Sequence, residues 1–373
     1  MVTIAATQPA TDGRVEPNPW HAVADLYHAY FTGLIMTLVT RRNTADAAEF
    51  VFRVFRRQHH ERFLPGLIKL GLDKLPHPVA AAQYHYLSNF IGGVSVEYMY
   101  ESDRKAWVRY PPPRWIWKGT AICAIPSEVS AAMLRGWHAH NGVSLKNPRM
   151  GFVCTKQTVD GENGLEGFYY EYDRELQPEE RLRFEPGLEA PLFDFAKAPA
   201  LAGNNWPKAR LDKAYRNYAM EYVRTGLPVA AALFGSDAAA PLLHTNGKLV
   251  GMQLGPEIAP HLGGYHSSGV GDGPDGFARL LLALIEAQGD EASLTREAGK
   301  VVVVQKQWGN MAGLADYDRS GLAALSGIVD GLAAATDRRI TVQLDAPGGQ
   351  PGPLRWIIGY GGLKPSGNDR YPA

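Results

Sequence analysis

Eleven histidines are present, and they are unevenly placed. His59, His60, His77 and His85 share one short span, His138 and His140 follow, and His244, His261 and His266 stand in the later half. Imidazole is the one side chain whose unperturbed pKa lies near neutrality, which makes it the usual general acid or base. Arg56 to Arg62 reads RRQHHER. Adjacent helical residues point about 100° apart, so at most one of His59 and His60 shares a face with a given partner. The plain alternative is a solvated helix end. No HExxH occurs, and no His pair at i, i+4 stands with a carboxylate. Neither a metal nor an organic cofactor is therefore expected; His59, His60 and Glu61 are the first ligands to test if a metal binds.

Two further segments could carry chemistry. Tyr84-His85-Tyr86 lies in the apolar, helical run AAAQYHYLSNF. Polar groups there need partners, because burying them unsatisfied costs roughly 1–3 kcal/mol. His85 reads either as a satisfied core residue or, with Tyr84, as a group facing a pocket. HLGGYHSSGVGDGPDG, residues 261–276, is Gly-rich and has no counterpart in the first half. It reads as a lid carrying His261, Tyr265 and His266, or as a passive surface loop. Without a preceding strand or a following GKS/T it makes a weak phosphate loop. The candidate catalytic set is thus His59, His60, His85, His261, His266 and Tyr84. Tyr98, Trp115, Tyr265 and Trp308 are expected to pack against a substrate's rings. YPPPRWIW, residues 110–117, is a candidate pocket wall more than a polyproline ligand. No GxSxG elbow supports Ser-His-Asp catalysis.

These residues need elements to hold them, and the elements repeat. Tyr27-His28-Ala29-Tyr30 and Tyr215-Arg216-Asn217-Tyr218 each read as opening a helix, and Asp46-Ala47-Ala48 matches Asp237-Ala238-Ala239. SVEYMYESDRKAWVRY and ASLTREAGKVVVVQ each read as a hairpin about a polar turn, followed by Trp115 and Trp308. Helices starting at Ser127, with its side chain as N-cap, and at Ser320 come next. Second hairpins close both halves, at 149–173 and 339–360. Matched positions stay roughly 187 to 195 residues apart throughout, which points to duplication. The expected fold is α+β: two tandem modules, each reading helix, helix, hairpin, helix, hairpin, related by a pseudo-twofold axis. Residues 1–21 read as a flexible arm, 22–173 and 208–373 as the modules, and 174–207 as a Pro/Ala-rich linker.

Bulk properties narrow the partners. The 373 residues are 45% hydrophobic and 20% charged, with a net charge of zero. No basic face argues for nucleic acid. With only Cys123 and Cys154 present, a disulfide framework is not expected and a cytoplasmic, reducing compartment is. Trp20 to Val39 is apolar, but His21, Asp25 and His28 recur within it at helical spacing, so a buried helix is expected rather than a membrane span. The partner class is a small-molecule substrate; a homo-oligomer is compatible with all of this.

DGENGLEGFYYEYD at 160–173, APGGQPGPLRWIIGY at 346–360 and KAYRNYAMEYVRTGLP at 213–228 together resemble the vinyl-4-reductase-like domain and the related L-2-amino-thiazoline-4-carboxylate hydrolase-like proteins. That resemblance implies small-ligand binding, sometimes with hydrolytic chemistry. Many such proteins carry a cysteine in the closing hairpin, where this chain has Phe168 and Trp356. The expected function is a cofactor-independent lyase or hydrolase acting on a small aromatic or heterocyclic molecule at a cleft between the modules. A non-catalytic ligand-binding or sensor protein is the alternative, and a metal-dependent enzyme a further one.

Overall fold

The computed structural model describes residues 16–201, 206–264, 273–346 and 352–361. The chain divides into two compact units, Tyr27–Leu242, and Leu243–Ala373 together with Met1–Leu26. The fold class is α+β, with two sheets of mainly antiparallel strands.

The Tyr27–Leu242 unit begins within α1 (Pro19–Arg41) and continues through α2 (Thr44–Lys69) and α3 (His77–Ile91). The side chain of Asn43 caps α2 by accepting the Asp46 amide at 2.8 Å, satisfying a donor that the first turn leaves orphaned. Pro78, in the first turn of α3, costs nothing there because its missing N–H would have no intrahelical acceptor. Hairpin β1 (Glu97–Ser102) and β2 (Lys105–Tyr110) follows, then α4 (Ser127–Gly136) and the short α5 (Asn141–Ser144). Strands β3 (Met150–Lys156), β4 (Leu165–Glu171) and β5 (Leu182–Phe184) complete a sheet of order β1-β2-β4-β3-β5, and α6 (Lys208–Phe234) belongs to the same unit.

Alternation along the strands gives this sheet two different faces. Met99, Trp107, Val153 and Phe168 cluster on one, covered by Ala190 and Phe193. The opposite face carries Phe152 and Tyr169, paired across β3 and β4, with their rings 5.0 Å apart. Segment 174–207 is therefore more than the expected linker: it adds β5 in parallel with β3 and supplies Ala190 and Phe193 to a sheet face. The unit boundary falls at Leu242, inside a helix.

The other unit contains most of α7 (Ser236–Ile258), then α8 (Gly273–Gln288), hairpin β6 (Ala292–Glu297) and β7 (Lys300–Gln305), α9 (Gly321–Thr336), and hairpin β8 (Ile340–Asp345) and β9 (Leu354–Tyr360). Its sheet order is β6-β7-β9-β8. Helices α7 and α9 meet through glycine: a Cβ on Gly247 would stand 2.6 Å from the Ala324 carbonyl, and one on Gly331 would stand 2.8 Å from the Met252 amide.

The hairpin strands lie where alternation placed them, the turn expected at 347–349 lies outside the described residues, and three expectations change. Each series has three helices before its first hairpin, not two, because the runs at 77–91 and 273–288 are independent helices. Tyr27 and Tyr215 lie well inside α1 and α6 rather than opening them. Ser127 does not cap α4; its hydroxyl donates to the Asp160 carboxylate instead. By length and composition α1 could cross a membrane, and 72% of its apolar window is buried within the chain.

Candidate functional site

The His-rich segments of the Tyr27–Leu242 unit converge. His59 and His60 lie in the second half of α2, His85 in the middle of α3, and His138 and His140 in the turn that follows α4. That turn stays against α2 because the Arg56 guanidinium donates to the Arg135 and Gly136 carbonyls, at 2.8 and 2.9 Å. A Cβ on Gly136 would lie only 2.7 Å from the Phe52 carbonyl, so this close approach requires glycine.

A continuous polar chain runs through the buried interior. His59 donates through Nε2 to the Asn141 Oδ1 at 2.9 Å. The Asn141 Nδ2 donates to the Tyr169 hydroxyl at 2.9 Å, and that hydroxyl lies 2.7 Å from the His138 Nδ1. The buried Tyr169 hydroxyl proton needs an acceptor, and donating it to the His138 Nδ1 leaves that ring's proton on Nε2. The His138 and His85 rings stack, with centroids 4.3 Å apart and planes at 9°. The Tyr110 hydroxyl, 2.8 Å from the His85 Nδ1, ends the chain. With Tyr110 donating, His85 also holds its proton on Nε2.

Burial sets the protonation of every member. Desolvation lowers His85 to about 3 and His138 well below its ordinary value, with the two imidazoles opposing each other's charge in His138. The same cause pushes the Tyr110 and Tyr169 hydroxyls far up. Imidazoles and phenols alike are neutral at physiological pH, and act as hydrogen-bond donors and acceptors rather than as ions.

Several donors in this region find no acceptor. The His85 Nε2, one terminal nitrogen of Arg114, and the indole nitrogens of Trp115 and Trp137 are buried without a hydrogen-bond partner among the described residues. Arg114 is the most costly of them. It is 8% exposed, and its guanidinium lies 5.3 Å from the centroid of the Tyr110 ring. Among the described residues it makes no ion pair. Burial lowers its pKa to about 10, partly offset by the Tyr110 and Tyr222 hydroxyls. Removing an unpaired charge from water costs several kcal/mol. Trp115 lies beside it in sequence, its ring 4.9 Å from Tyr218 and 5.2 Å from Tyr222, both on α6. Tyr218 in turn donates to the Asn89 Oδ1 at 2.9 Å, one turn along α3 from His85.

The sequence-predicted residues are placed unequally. His59 and His60 both meet the His140 ring, at centroid distances of 5.1 and 4.9 Å, although only one of the two was expected to share a given partner; His85 lies on the polar chain, with the Tyr84 ring edge-on to it at 5.7 Å. Trp115 lies in the arginine region. Tyr98 accepts from the Gln83 amide at 3.3 Å and packs near Tyr86, off the polar chain. His261 belongs to the other unit, where its Nδ1 accepts the Asn18 amide at 3.2 Å. Trp308 is fully buried in that unit's core. Tyr265 and His266 lie outside the described residues. Sequence reasoning reached Tyr110 and Arg114 only as part of the pocket-wall segment 110–117, missed Asn141 and Tyr169, and counted His138 and His140 without placing them. The alternating His138-Ala139-His140, next to Trp137, was the available signal. For Arg114 there was none beyond its place in an aromatic segment.

The buried thiol of Cys154 is pushed up to about 12 by desolvation and donates weakly to the Lys156 carbonyl, so it is not a thiolate nucleophile. Comparison with protein-family models, curated proteins and solved structures returns no match.

Proposed function

We propose that the Tyr27–Leu242 unit binds a small aromatic or heterocyclic molecule bearing a carboxylate and acts on it as a cofactor-independent lyase or hydrolase. One observation carries this reading: a group of buried donors, led by a terminal nitrogen of Arg114, that lacks acceptors among the described residues. A carboxylate satisfies the guanidinium with paired hydrogen bonds. A carbonyl or ring nitrogen on the same ligand takes the His85 Nε2–H, and Trp115, Tyr218 and Tyr222 supply ring contacts. A neutral imidazole donating into a dry site polarises a carbonyl and stabilises negative charge that develops on its oxygen. Donation from the Tyr110 hydroxyl to the His85 Nδ1 would leave the Nε2 proton that this role requires. The resemblance to vinyl-4-reductase-like and hydrolase-like domains, with its small-ligand binding, agrees.

Binding without turnover is the second reading. It is favoured by the shifts of His85 and Tyr110 in opposite directions away from neutrality, since general acid–base efficiency is best with a pKa near the working pH. A panel of aromatic and heterocyclic carboxylates, each beside its uncharged amide, tests both. Carboxylates should raise the melting temperature and amides should not, and Arg114→Gln should abolish the difference. Product analysis by NMR then separates turnover from binding. A panel in which acid and amide behave alike would sink the proposal.

We further infer that the helix-hairpin-helix-hairpin series of the two units are copies of one ancestral module. The matching sheet orders β1-β2-β4-β3 and β6-β7-β9-β8 support this, as do the glycine-mediated helix contacts at Gly136 and at Gly247.

A further inference from the structure

We propose that His59, His60 and His140 form a three-nitrogen site for a late transition-metal dication, with Zn²⁺ as the reference ion. The proposal rests on residues other than Arg114 and His85, so it stands or falls apart from the ligand reading.

Geometry makes the case first. One ring nitrogen from each of the three histidines can be chosen so that all lie within 4.8 Å of one another. Ring centroids are 5.1 Å apart for His59 and His140, and 4.9 Å for His60 and His140. Around a tetrahedral zinc, ligand nitrogens at about 2.0–2.1 Å from the metal are about 3.4 Å from each other. The rings therefore need to draw together by roughly an ångström, a small rotamer adjustment for the exposed His60 and the half-buried His140. Three protein nitrogens leave a fourth position for water, the pattern of an open rather than a structural site.

The second observation concerns His59 alone. Its Nε2 is committed to Asn141, and its Nδ1 is buried with no hydrogen-bond partner among the described residues, in a side chain only 1% exposed. An imidazole that donates from one nitrogen to a fixed acceptor presents a lone pair on the other, which is how metal-binding histidines are oriented. Asn141 is itself held by Tyr169, so the orientation belongs to the fold. Stacking on Phe63, with centroids 4.8 Å apart, keeps the ring plane in place.

Ligand type narrows the ion. The set is all imidazole, which suits zinc, cobalt, nickel and copper and not the oxygen-seeking magnesium or calcium. Glu61, its neighbour on α2, is engaged with Arg57 at 3.0 Å and is not part of the group.

The test uses the untagged full-length protein, stripped of metal with a chelator. Zn²⁺ alone is titrated calorimetrically, and Co²⁺ is followed by visible absorption. One equivalent should bind, with cobalt bands of four-coordinate intensity, while Mg²⁺ and Ca²⁺ give no heat. His60→Ala and His140→Ala replace side chains outside the deep core, so both variants should fold. Each should weaken Zn²⁺ binding by about tenfold or more and leave the metal-free melting temperature near that of the parent. Failure of the parent to bind a stoichiometric ion, or unchanged affinity in both variants, overturns the site.

Discussion

At the scale of single residues, desolvation has the largest effect. His59 and His85 are each lowered to about 3, against an ordinary value near 6.5. The unfolded chain therefore takes up protons at these positions below about pH 6.5, and the folded chain does not until about pH 3. Stability from these groups is fully present above pH 6.5 and is lost progressively as the pH falls through that window. Each contributes a slope of up to about 1.4 kcal/mol per pH unit. The urea midpoint of this unit should accordingly fall steeply between pH 6.5 and 5. His85→Gln should make the decline shallower, although it removes the hydrogen bond to Tyr110. An unaltered pH slope in that variant would mean that His85 is accessible to protons in the folded state. His85 also shows where sequence reading stops. Its type and apolar setting marked it as either core or functional; the structure makes it both buried and half-partnered, bonded at Nδ1 and without a partner at Nε2.

Among elements, the α2–α4 contact decides whether a site forms. It joins the two chain segments that supply His59 with His60 and His138 with His140. Its closeness depends on Gly136, where an added Cβ would meet the Phe52 carbonyl at 2.7 Å and the Phe55 Cβ at 2.9 Å. Backbone atoms cannot rotate away, so Gly136→Ala must push the helices apart. Overpacking of this kind typically costs about 1–3 kcal/mol. We expect a lowered urea midpoint for Gly136→Ala and weaker Zn²⁺ binding even though no ligand residue is altered. A variant of normal stability and affinity would show that the helices tolerate separation. Helix α4 was legible from its apolar pattern and its Ser-Glu start. That Ser127 would bond Asp160 and leave the helix without a side-chain cap was not, because that partner lies on a turn folded back from 33 residues away.

For the whole molecule, the two units differ in chemistry while their four-strand orders β1-β2-β4-β3 and β6-β7-β9-β8 correspond. The buried polar chain, the unpaired guanidinium and the three-histidine group all lie within Tyr27–Leu242. In the other unit, His244 is paired with Asp330 at 2.9 Å and His261 with the Asn18 backbone. Hydrogen exchange followed by mass spectrometry should therefore show ligand-dependent protection in peptides covering α2, α3, β2 and the turn after α4. Peptides from α9 and β7 should exchange at unchanged rates. Protection concentrated in the latter peptides would move the binding site out of the first unit.

The sequence by itself determined the class of fold, the strands of the hairpins, and the order of most helices. It did so because alternation, helical periodicity and turn chemistry act over a few residues and can be read one window at a time. It also singled out His59, His60 and His85 by residue type. Tertiary structure alone decided what those histidines face. The bond from His59 to Asn141 spans 82 positions, and the one from His85 to Tyr110 spans 25. Such pairings depend on how two helices approach and on which sheet face they cover, and no local pattern encodes either. Arg114 is the clearest case. In sequence it is one arginine among aromatic residues, and only the packing around it leaves it buried beside tyrosines, with no anion to meet among the described residues.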